Sequence, residues 1–394
     1  MSFGNTKSKK NPLEEMPKAM YNDFVKVLNI QSTSSNEKLM WYYIKTWLDN
    51  HGISNYTDGA GNIIATKGEL SEGEYYPCVC SHMDTVHSFV DDFKLYFVID
   101  DDGNRILFAK DGEAKTGIGG DDKCGIYSCL YFLTIFDKLK VVFFSQEESG
   151  LIGSNKIKLS VFDNCGYIIQ LDRWGAHDFI CKNSSHTFVS DEYLETIKEV
   201  LVKYDYAPEI GLITDSVNLF SRNVGISCVN VSCGYYEHHT NSEKIDVNEF
   251  YHSLKFTEEV INTLGNAKYA HSKPVYSGKS TYNYQSKYNR HYWQDDYDDT
   301  FNKPYARHIP ALPKQPVTPP ASTKKPITTN TDKLNLMCTW VNKESNWKII
   351  DEVLVALNIS WADFYTLLMI STEATDIERE YRTRTGMELF KKVI

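Results

Sequence analysis

The chain has 394 residues, of which 42% are hydrophobic and 24% are charged, and this composition excludes a wholly disordered, collagen-like or membrane-embedded chain. Its 42 Lys and Arg residues against 52 Asp and Glu residues give a net charge of −10, so nucleic acid is not an expected partner. Neither a secretory signal nor an apolar run of about 18 residues is readable, so no membrane partner is expected. The nine cysteines form no Cys-x-x-Cys pair and favour reduced thiols, which predicts a cytoplasmic protein.

The N-terminal part of the chain has helical periodicity. Apolar residues over 13–50 recur at the spacing of two amphipathic helices. Ser34 precedes Glu37 by three residues, which is the spacing of a capping box and predicts that the second helix begins there. Further helices are predicted over 122–137, 191–204 and 247–264.

Short β-rich runs dominate the middle of the chain. The runs at 95–99 and 105–110 flank a turn sequence and are expected to form a hairpin. Other runs, such as 138–145 and 166–172, are nearly continuously apolar instead of alternating, which is typical of strands covered on both faces. The sequence therefore predicts an α/β fold in which a mixed central sheet lies between two layers of helices.

Composition divides the chain into three parts. An α/β domain is predicted over 13–265, and the stretch 266–330 is rich in Tyr and Pro but poor in aliphatic residues, which predicts a linker or an extended arm. Helical periodicity returns over 331–394 and predicts a small helical module. The arm and the module are candidate docking segments for a protein partner, and the alternative is that the arm wraps the α/β domain.

Residues that can bind metal follow the predicted strands. His82 ends one apolar run and Asp84 stands two residues later, so both side chains project to the same side and Asp84 could orient the imidazole. Asp121 and Asp122 lie among glycines before a helix. Taken alone, His82 and Asp84 are explained as a histidine at a strand end and an aspartate in a turn. Asp121 and Asp122, taken alone, are explained as helix caps favoured by the helix dipole.

Three more strand ends complete the pattern. Glu147 and Glu148 follow a strongly apolar run, Asp172 ends another, and His238 and His239 follow a third. Together the strand ends supply carboxylates and imidazoles without a thiolate, a donor set that suits Zn²⁺ or Mn²⁺ in a catalytic site. Five ligands with one bridging carboxylate fit two metal ions about 3.5–4 Å apart.

Four motifs follow one another along the chain: His82-Met83-Asp84-Thr85-Val86, Gly119-Gly120-Asp121-Asp122-Lys123, Glu147-Glu148-Ser149-Gly150 and His239-Thr240-Asn241-Ser242-Glu243. In order and rough spacing, over about residues 20–262, they resemble the zinc exopeptidase clan, and most closely its peptidase T-like (tripeptide aminopeptidase) branch. The resemblance implies a phosphorylase/hydrolase-like three-layer sandwich.

The resemblance also implies roles for single residues. His82 would bind one metal ion, Asp121 would bridge, Glu148 would bind one ion, Asp172 the other, and His239 would complete the second site. Glu147 is implied as the general base and Asp84 as the carboxylate that supports a ligand. Asp122 is the weaker candidate beside Asp121, and His238 is the main rival to His239.

One feature departs from the peptidase T-like branch. Those enzymes carry a lid or dimerisation domain after the position of Asp172, before a segment that resembles the one beginning at Thr214. Only 42 residues lie between Asp172 and Asp215, too few for that domain. The layout is closer to the lidless, leucine-aminopeptidase-like members of the clan.

The sequence therefore predicts a metal-dependent exopeptidase that hydrolyses short peptides, with an aminopeptidase favoured and two Zn²⁺ as cofactors, Mn²⁺ or Co²⁺ being alternatives. In the predicted reaction a metal-bridged water attacks the peptide carbonyl while Glu147 accepts its proton. One alternative is an amidohydrolase, deacylase or carboxypeptidase with the same site. Another is a structural or assembly protein that retains a peptidase-like fold.

Overall fold

The computed structural model of the protein describes residues 13–101, 103–211 and 214–272, so the predicted helical module and nearly all of the predicted arm lie outside the described residues. The helices are α1 (Lys18–Leu28), α2 (Lys38–Asn50), α3 (Gly120–Ile135), α4 (Ile152–Lys156), a 3₁₀ helix (Leu159–Phe162), α5 (Asp191–Lys203), α6 (Asp215–Ser221) and α7 (Val247–Leu264). The strands are β1 (Ser54–Thr57), β2 (Ile63–Lys67), β3 (Tyr76–His82), β4 (Phe93–Ile99), β5 (Arg105–Asp111), β6 (Ala114–Thr116), β7 (Leu139–Phe144), β8 (Cys165–Arg173), β9 (Asp178–Lys182), β10 (Ala207–Ile210), β11 (Ser227–Ser232), β12 (Tyr235–Tyr236) and β13 (Lys244–Asp246).

The larger sheet is mixed and has eight strands in the order β1-β2-β7-β3-β8-β11-β9-β10. Its centre is parallel, because β3 pairs in parallel with both β7 and β8, and β8 pairs in parallel with β11. Along β7, Val141 and Phe143 face one core while Val142 and Phe144 face the other. The continuously apolar runs are therefore strands covered on both faces, as the sequence predicts.

Helices form a layer on each face of this sheet. Phe24 of α1, Met40 of α2 and Phe250 of α7 belong to the core on one face, together with side chains of α3 and α5. Leu219 and Phe220 of α6 belong to the core on the opposite face, with side chains of the 3₁₀ helix. Burying one such Phe contributes about 1.5–3 kcal/mol. The predicted three-layer α/β sandwich is confirmed.

A smaller five-stranded sheet carries the predicted hairpin. Its order is β12-β13-β5-β4, with β6 also paired to β5. β4 and β5 are antiparallel with Ile99 opposite Arg105, so the hairpin is confirmed. β13 pairs with the other edge of β5, where Ile245 lies opposite Leu107. β12 pairs in turn with β13, and these two strands flank the loop that carries His238 and His239.

The prediction of a capping box at the start of α2 is wrong. The residue that precedes this helix is Glu37, and no side chain caps it. The side chains of Ser34 and Glu37 instead bind residues of the candidate site, as described below. The helices with side-chain caps include α5, capped by Ser190, and α7, capped by Asp246.

The chain continues in contact with the sheet after α7. The carbonyl of Asn266 accepts a hydrogen bond of 2.8 Å from the Tyr75 amide, and the Tyr269 amide donates one of 2.9 Å to Gly166. Residues 266–271 thus pack on the α/β domain, and the predicted boundary at 265 stays a prediction. No helix among the described residues is both long and apolar enough to cross a bilayer.

Candidate metal centre

The candidate ligands meet at one edge of the larger sheet. His82 is the last residue of β3, Asp172 lies at the end of β8, and Glu148 follows β7. Asp121 lies at the start of α3, and His239 follows β11 and β12. Because the carboxyl ends of neighbouring parallel strands point to the same edge, residues distant in sequence converge there. The structure brings all five predicted ligands together.

Asp121 stands between two imidazoles. Its Oδ1 lies 3.0 Å from Nε2 of His82, and its Oδ2 lies 3.3 Å from Nε2 of His239. The same nitrogen of His239 is 2.9 Å from Oε1 of Glu148, and that of His82 is 3.5 Å from Oδ1 of Asp172. Asp121 therefore belongs to two groups of three candidate ligands, one with His82 and Asp172 and the other with Glu148 and His239.

Each group could hold a metal ion. One donor atom from each of His82, Asp121 and Asp172 lies within 4.8 Å of the others, and the same is true of Asp121, Glu148 and His239. A third overlapping group is His82, Glu147 and Glu148. Imidazoles with carboxylates are a suitable donor set for a borderline divalent ion, so the residues fit the predicted metals.

Two carboxyl groups of the centre are held in an environment that disfavours their ionised form. Burial raises the pKa of Glu147 to about 10 and that of Asp172 to about 8, and neighbouring carboxylates add to both shifts. Burial lowers the pKa of His82, but Asp121 and Asp172 outweigh this effect and hold it well above its usual value. Divalent cations would supply positive charge and favour the ionised carboxylates.

The two adjacent aspartates have different surroundings. Asp122 is fully buried, and its carboxylate accepts hydrogen bonds from the amides of Gly125 (2.9 Å) and His82 (3.2 Å). It belongs to none of the three ligand groups among the described residues. Asp122 thus connects the end of β3 to α3 through hydrogen bonds, while Asp121 faces the other candidate ligands.

The two adjacent histidines also differ. The ring of His238 stacks on Trp174 at a centroid distance of 6.2 Å and an interplanar angle of 12°. His239 has a positive φ of 60°, and its Nε2 lies among the carboxylates. His239 therefore lies with the other candidate ligands, and His238 forms part of the cleft beside it.

Asp84 connects the histidine to the glutamates. Nδ1 of His82 lies 3.0 Å from the backbone oxygen of Asp84 and 3.5 Å from its Oδ1. The carboxylate accepts hydrogen bonds from the amides of Glu147 (2.8 Å) and Glu148 (3.2 Å). The shorter contact to the imidazole is thus made by the backbone, and the side chain fixes the turn that carries both glutamates.

The turn between α1 and α2 supports the site, which sequence reasoning missed. Ser34 Oγ donates a 2.7 Å hydrogen bond to Asp84 Oδ2, and Glu37 Oε1 accepts one of 3.0 Å from the amide of Gln146. Burial, with Asp84 next in effect, raises the pKa of Glu37 to about 7. The Ser-x-x-Glu spacing was a signal, but it does not distinguish a helix cap from these distant contacts.

Glu243 is a second residue whose role the sequence did not indicate. It is fully buried, and its Oε2 accepts hydrogen bonds of 2.7 Å from the Gly119 amide and from Nε2 of His87. Its Oε1 accepts a hydrogen bond of 3.1 Å from the amide of Asp121. Glu243 therefore ties the loop of His239 to the segment that carries Asp121.

The candidate ligands open into a cleft of about 230 Å³. Tyr235 lines it and donates a 3.4 Å hydrogen bond to Oδ1 of Asp172. Asn230 and Thr214 line it as well, and Asn230 accepts a hydrogen bond of 2.9 Å from the Asp172 amide. Arg173, Trp174 and His238 complete the side of the cleft next to Asp172. The cleft thus has an acidic centre and a cationic, aromatic side.

Comparisons with known proteins show similarity at the level of the fold. No known family model matches the sequence, and no curated protein is significantly similar to it in sequence. The structure is similar to that of the aminopeptidase PepT from Bacillus cereus ATCC 10987, with a TM-score of 0.51 and 17% identity over 62% of this chain and 98% of that chain. It is also similar to a tripeptidase from Staphylococcus aureus subsp. aureus Mu50, with a TM-score of 0.50 and 15% identity over 64% of this chain and 98% of that chain. The fold implied by the peptidase T-like motifs is confirmed.

Proposed function

We propose that the protein is a metal-dependent exopeptidase that hydrolyses short peptides, with aminopeptidase activity favoured. The observation that carries the proposal is the position of Asp121, whose two carboxylate oxygens face His82 and His239. A carboxylate shared by two groups of ligands is what a pair of closely spaced catalytic metal ions requires.

The candidate ligands form two groups, each of which could hold one metal ion. His82, Asp172 and the shared Asp121 would hold one, and Asp121, Glu148 and His239 would hold the other. Zn²⁺ suits these ligands, and Mn²⁺ or Co²⁺ are alternatives. When bound, such ions supply Lewis acidity toward a peptide carbonyl and lower the pKa of nearby water.

Glu147 is the residue proposed for proton transfer. It belongs to neither of the two groups that share Asp121, and its backbone amide is held by Asp84. Its side chain lines the cleft beside Glu148, so it can reach a water that attacks the substrate. We assign to Glu147 the acceptance of the proton from that water and its delivery to the leaving nitrogen.

A panel of short peptides tests the proposal. The metal-loaded protein should remove the first residue from peptides with a free amino terminus and leave peptides with an acetylated terminus intact. Cleavage of only the acetylated peptides would replace the aminopeptidase with a deacylase, and removal of the last residue would indicate a carboxypeptidase. Hydrolysis of none of them with Zn²⁺, Mn²⁺ or Co²⁺ would contradict the proposal and favour a structural or assembly role.

The replacement Glu195→Gln provides the control for variants of the acidic centre. Glu195 lies on α5 and pairs with Lys198, and neither residue lines the cleft. This variant should hydrolyse the panel at the wild-type rate, so that any loss in a Glu147 or Glu148 variant is attributable to the site.

A further inference from the structure

One side of the cleft is a stack of three side chains, Arg173, Trp174 and His238, which we call the cleft wall. The guanidinium carbon of Arg173 lies 4.4 Å from the centroid of the Trp174 ring. The His238 ring lies nearly parallel to the Trp174 ring, at 6.2 Å and 12°. All three line the same cleft as the candidate ligands.

The cleft wall is attached to the metal centre at both ends. Arg173 directly follows Asp172, and His238 directly precedes His239. Since neighbouring Cα atoms are about 3.8 Å apart, the wall cannot move far from either candidate ligand. A group bound by Arg173 would thus lie close to the reacting peptide bond.

Most hydrogen-bond donors of the Arg173 guanidinium are not used by the described residues. Its Nε donates a 3.3 Å hydrogen bond to Oδ2 of Asp178, and neither terminal nitrogen donates to any of the described residues. A guanidinium carries five N–H donors, so Asp178 uses only a small part of its capacity. The side chain is 21% exposed. Among the described residues that line the cleft, Arg173 is the only Lys or Arg.

We propose that Arg173 is a specificity-determining residue that binds a carboxylate of the substrate, while the substrate packs on the exposed ring of Trp174. The inference rests on the proposed function and names its substrate class as peptides with a carboxylate near the scissile bond. The two terminal nitrogens of a guanidinium match the two oxygens of a carboxylate. Trp174 is 42% exposed and offers an apolar surface beside that pair.

Two parts of a peptide can supply this carboxylate. One is the C-terminal carboxylate of a very short peptide, and the other is the side chain of an Asp or Glu residue. Four substrates separate them: Ala-Ala-Ala, its C-terminal amide, Glu-Ala-Ala-amide and Gln-Ala-Ala-amide. Ala-Ala-Ala and Glu-Ala-Ala-amide carry one carboxylate each, from different sources, and the other two are counterparts without a carboxylate.

Another arginine of the same chain provides a matched control. Arg105 also lies over an aromatic ring, 5.5 Å from the centroid of Phe97, and pairs with Glu15 at 3.0 Å. It belongs to β5 of the smaller sheet and does not line the cleft. Arg105→Met therefore removes an equivalent stacked and paired guanidinium without touching the proposed binding site.

The main experiment compares kcat/KM of the wild type, Arg173→Met and Arg105→Met on the four peptides. Arg173→Met should lower kcat/KM about 10- to 100-fold, mostly through KM, for whichever carboxylate peptide uses Arg173. The kcat/KM of this variant on the counterpart without a carboxylate, and that of Arg105→Met on all four peptides, should change by no more than about twofold. An equal loss on peptides with and without a carboxylate, or no loss on either, would overturn the proposal.

A second variant keeps the test decisive if Arg173→Met does not fold. Asp178→Asn leaves Arg173 in place but removes the carboxylate that pairs with it, so the KM of the preferred carboxylate peptide should fall. The KM of the counterpart without a carboxylate should not change. Unchanged or parallel KM values in this variant would also overturn the proposal.

Direct binding separates failure of this inference from failure of the proposed function. Calorimetric titration of Ala-Ala-Ala and Glu-Ala-Ala-amide, each beside its counterpart without a carboxylate, into the metal-loaded Glu147→Gln protein measures Kd without hydrolysis. If the wild type hydrolyses no peptide, the proposed function is wrong. Tighter binding of either carboxylate peptide than of its counterpart, lost in Glu147→Gln with Arg173→Met, would still support the carboxylate site. Equal Kd values within both pairs would reject it.

Discussion

Replacing Glu243 by Gln tests whether a residue outside the ligand set positions the bridging aspartate. The two carboxylate oxygens accept from three donors, namely the amides of Gly119 and Asp121 and Nε2 of His87. A glutamine has one acceptor oxygen and turns an N–H group toward the remaining donors. At least one of these buried donors would lose its partner.

The expected effect is measurable in two ways. An unsatisfied buried donor costs about 1–3 kcal/mol, which lowers Tm by about 2–4 °C per kcal/mol in a domain of this size. Residues that orient metal ligands typically contribute about 10- to 100-fold to metal affinity, so the Zn²⁺ affinity of Glu243→Gln should fall by that factor.

Competition with a chelator of known affinity measures the Kd, and Glu195→Gln provides the control. A normal Zn²⁺ affinity with a lowered Tm would mean that Glu243 supports only the fold. Normal values of both would refute the reasoning, because the three hydrogen bonds would then contribute nothing to either property.

Four further predictions follow from the site. Asp121→Ala should lose both metal ions together, whereas retention of one equivalent in metal analysis would argue against a bridging role. Glu147→Gln should keep the metals while kcat falls by about 10²–10⁴-fold, and Glu148→Gln should lose metal; equal metal loss in the two variants would mean that their roles are assigned wrongly. Burial raises the pKa of Glu147 to about 10 and of Asp172 to about 8, so the folded metal-free protein binds protons that the unfolded chain has already lost. Its stability should therefore fall as the pH rises from about 5 to 8, and bound Zn²⁺, which requires ionised ligands, should oppose this fall in a series of melting curves. A chain ending at Ser272 should fold and retain its kcat/KM on small peptides, because every candidate ligand precedes this residue; aggregation, or loss of activity with the metals bound, would show that the arm belongs to the active site.

The sequence predicted the parts of the fold that depend on local pattern. The hairpin of β4 and β5 could be predicted because a turn sequence separates two β-rich runs, and the sandwich could be predicted because β7 and β8 are apolar on both faces. The edge strand β10 was missed, since Ala207–Ile210 is exposed along its whole length and contains Pro208. A short exposed strand has no burial pattern to reveal it.

Most candidate ligands could be found in the sequence because they end or follow strands, and neighbouring parallel strands end at one edge of a sheet. Asp121 is the exception, since it lies at the start of α3. The supporting contacts could not be predicted. The hydrogen bond between Ser34 and Asp84 spans 50 residues, and the one between Glu243 and Gly119 spans 124. Nothing in a local pattern indicates which distant backbone amide a buried carboxylate will meet.

Titration of the metal-free protein with Zn²⁺, followed by both calorimetry and hydrolysis of Ala-Ala-Ala, tests the account most directly. We expect binding to saturate at two equivalents and the rate of hydrolysis to rise to its plateau as the second ion binds. Saturation at two equivalents without hydrolysis of this or any other short peptide would contradict the proposed function. Absence of Zn²⁺, Mn²⁺ and Co²⁺ binding would contradict the metal centre itself.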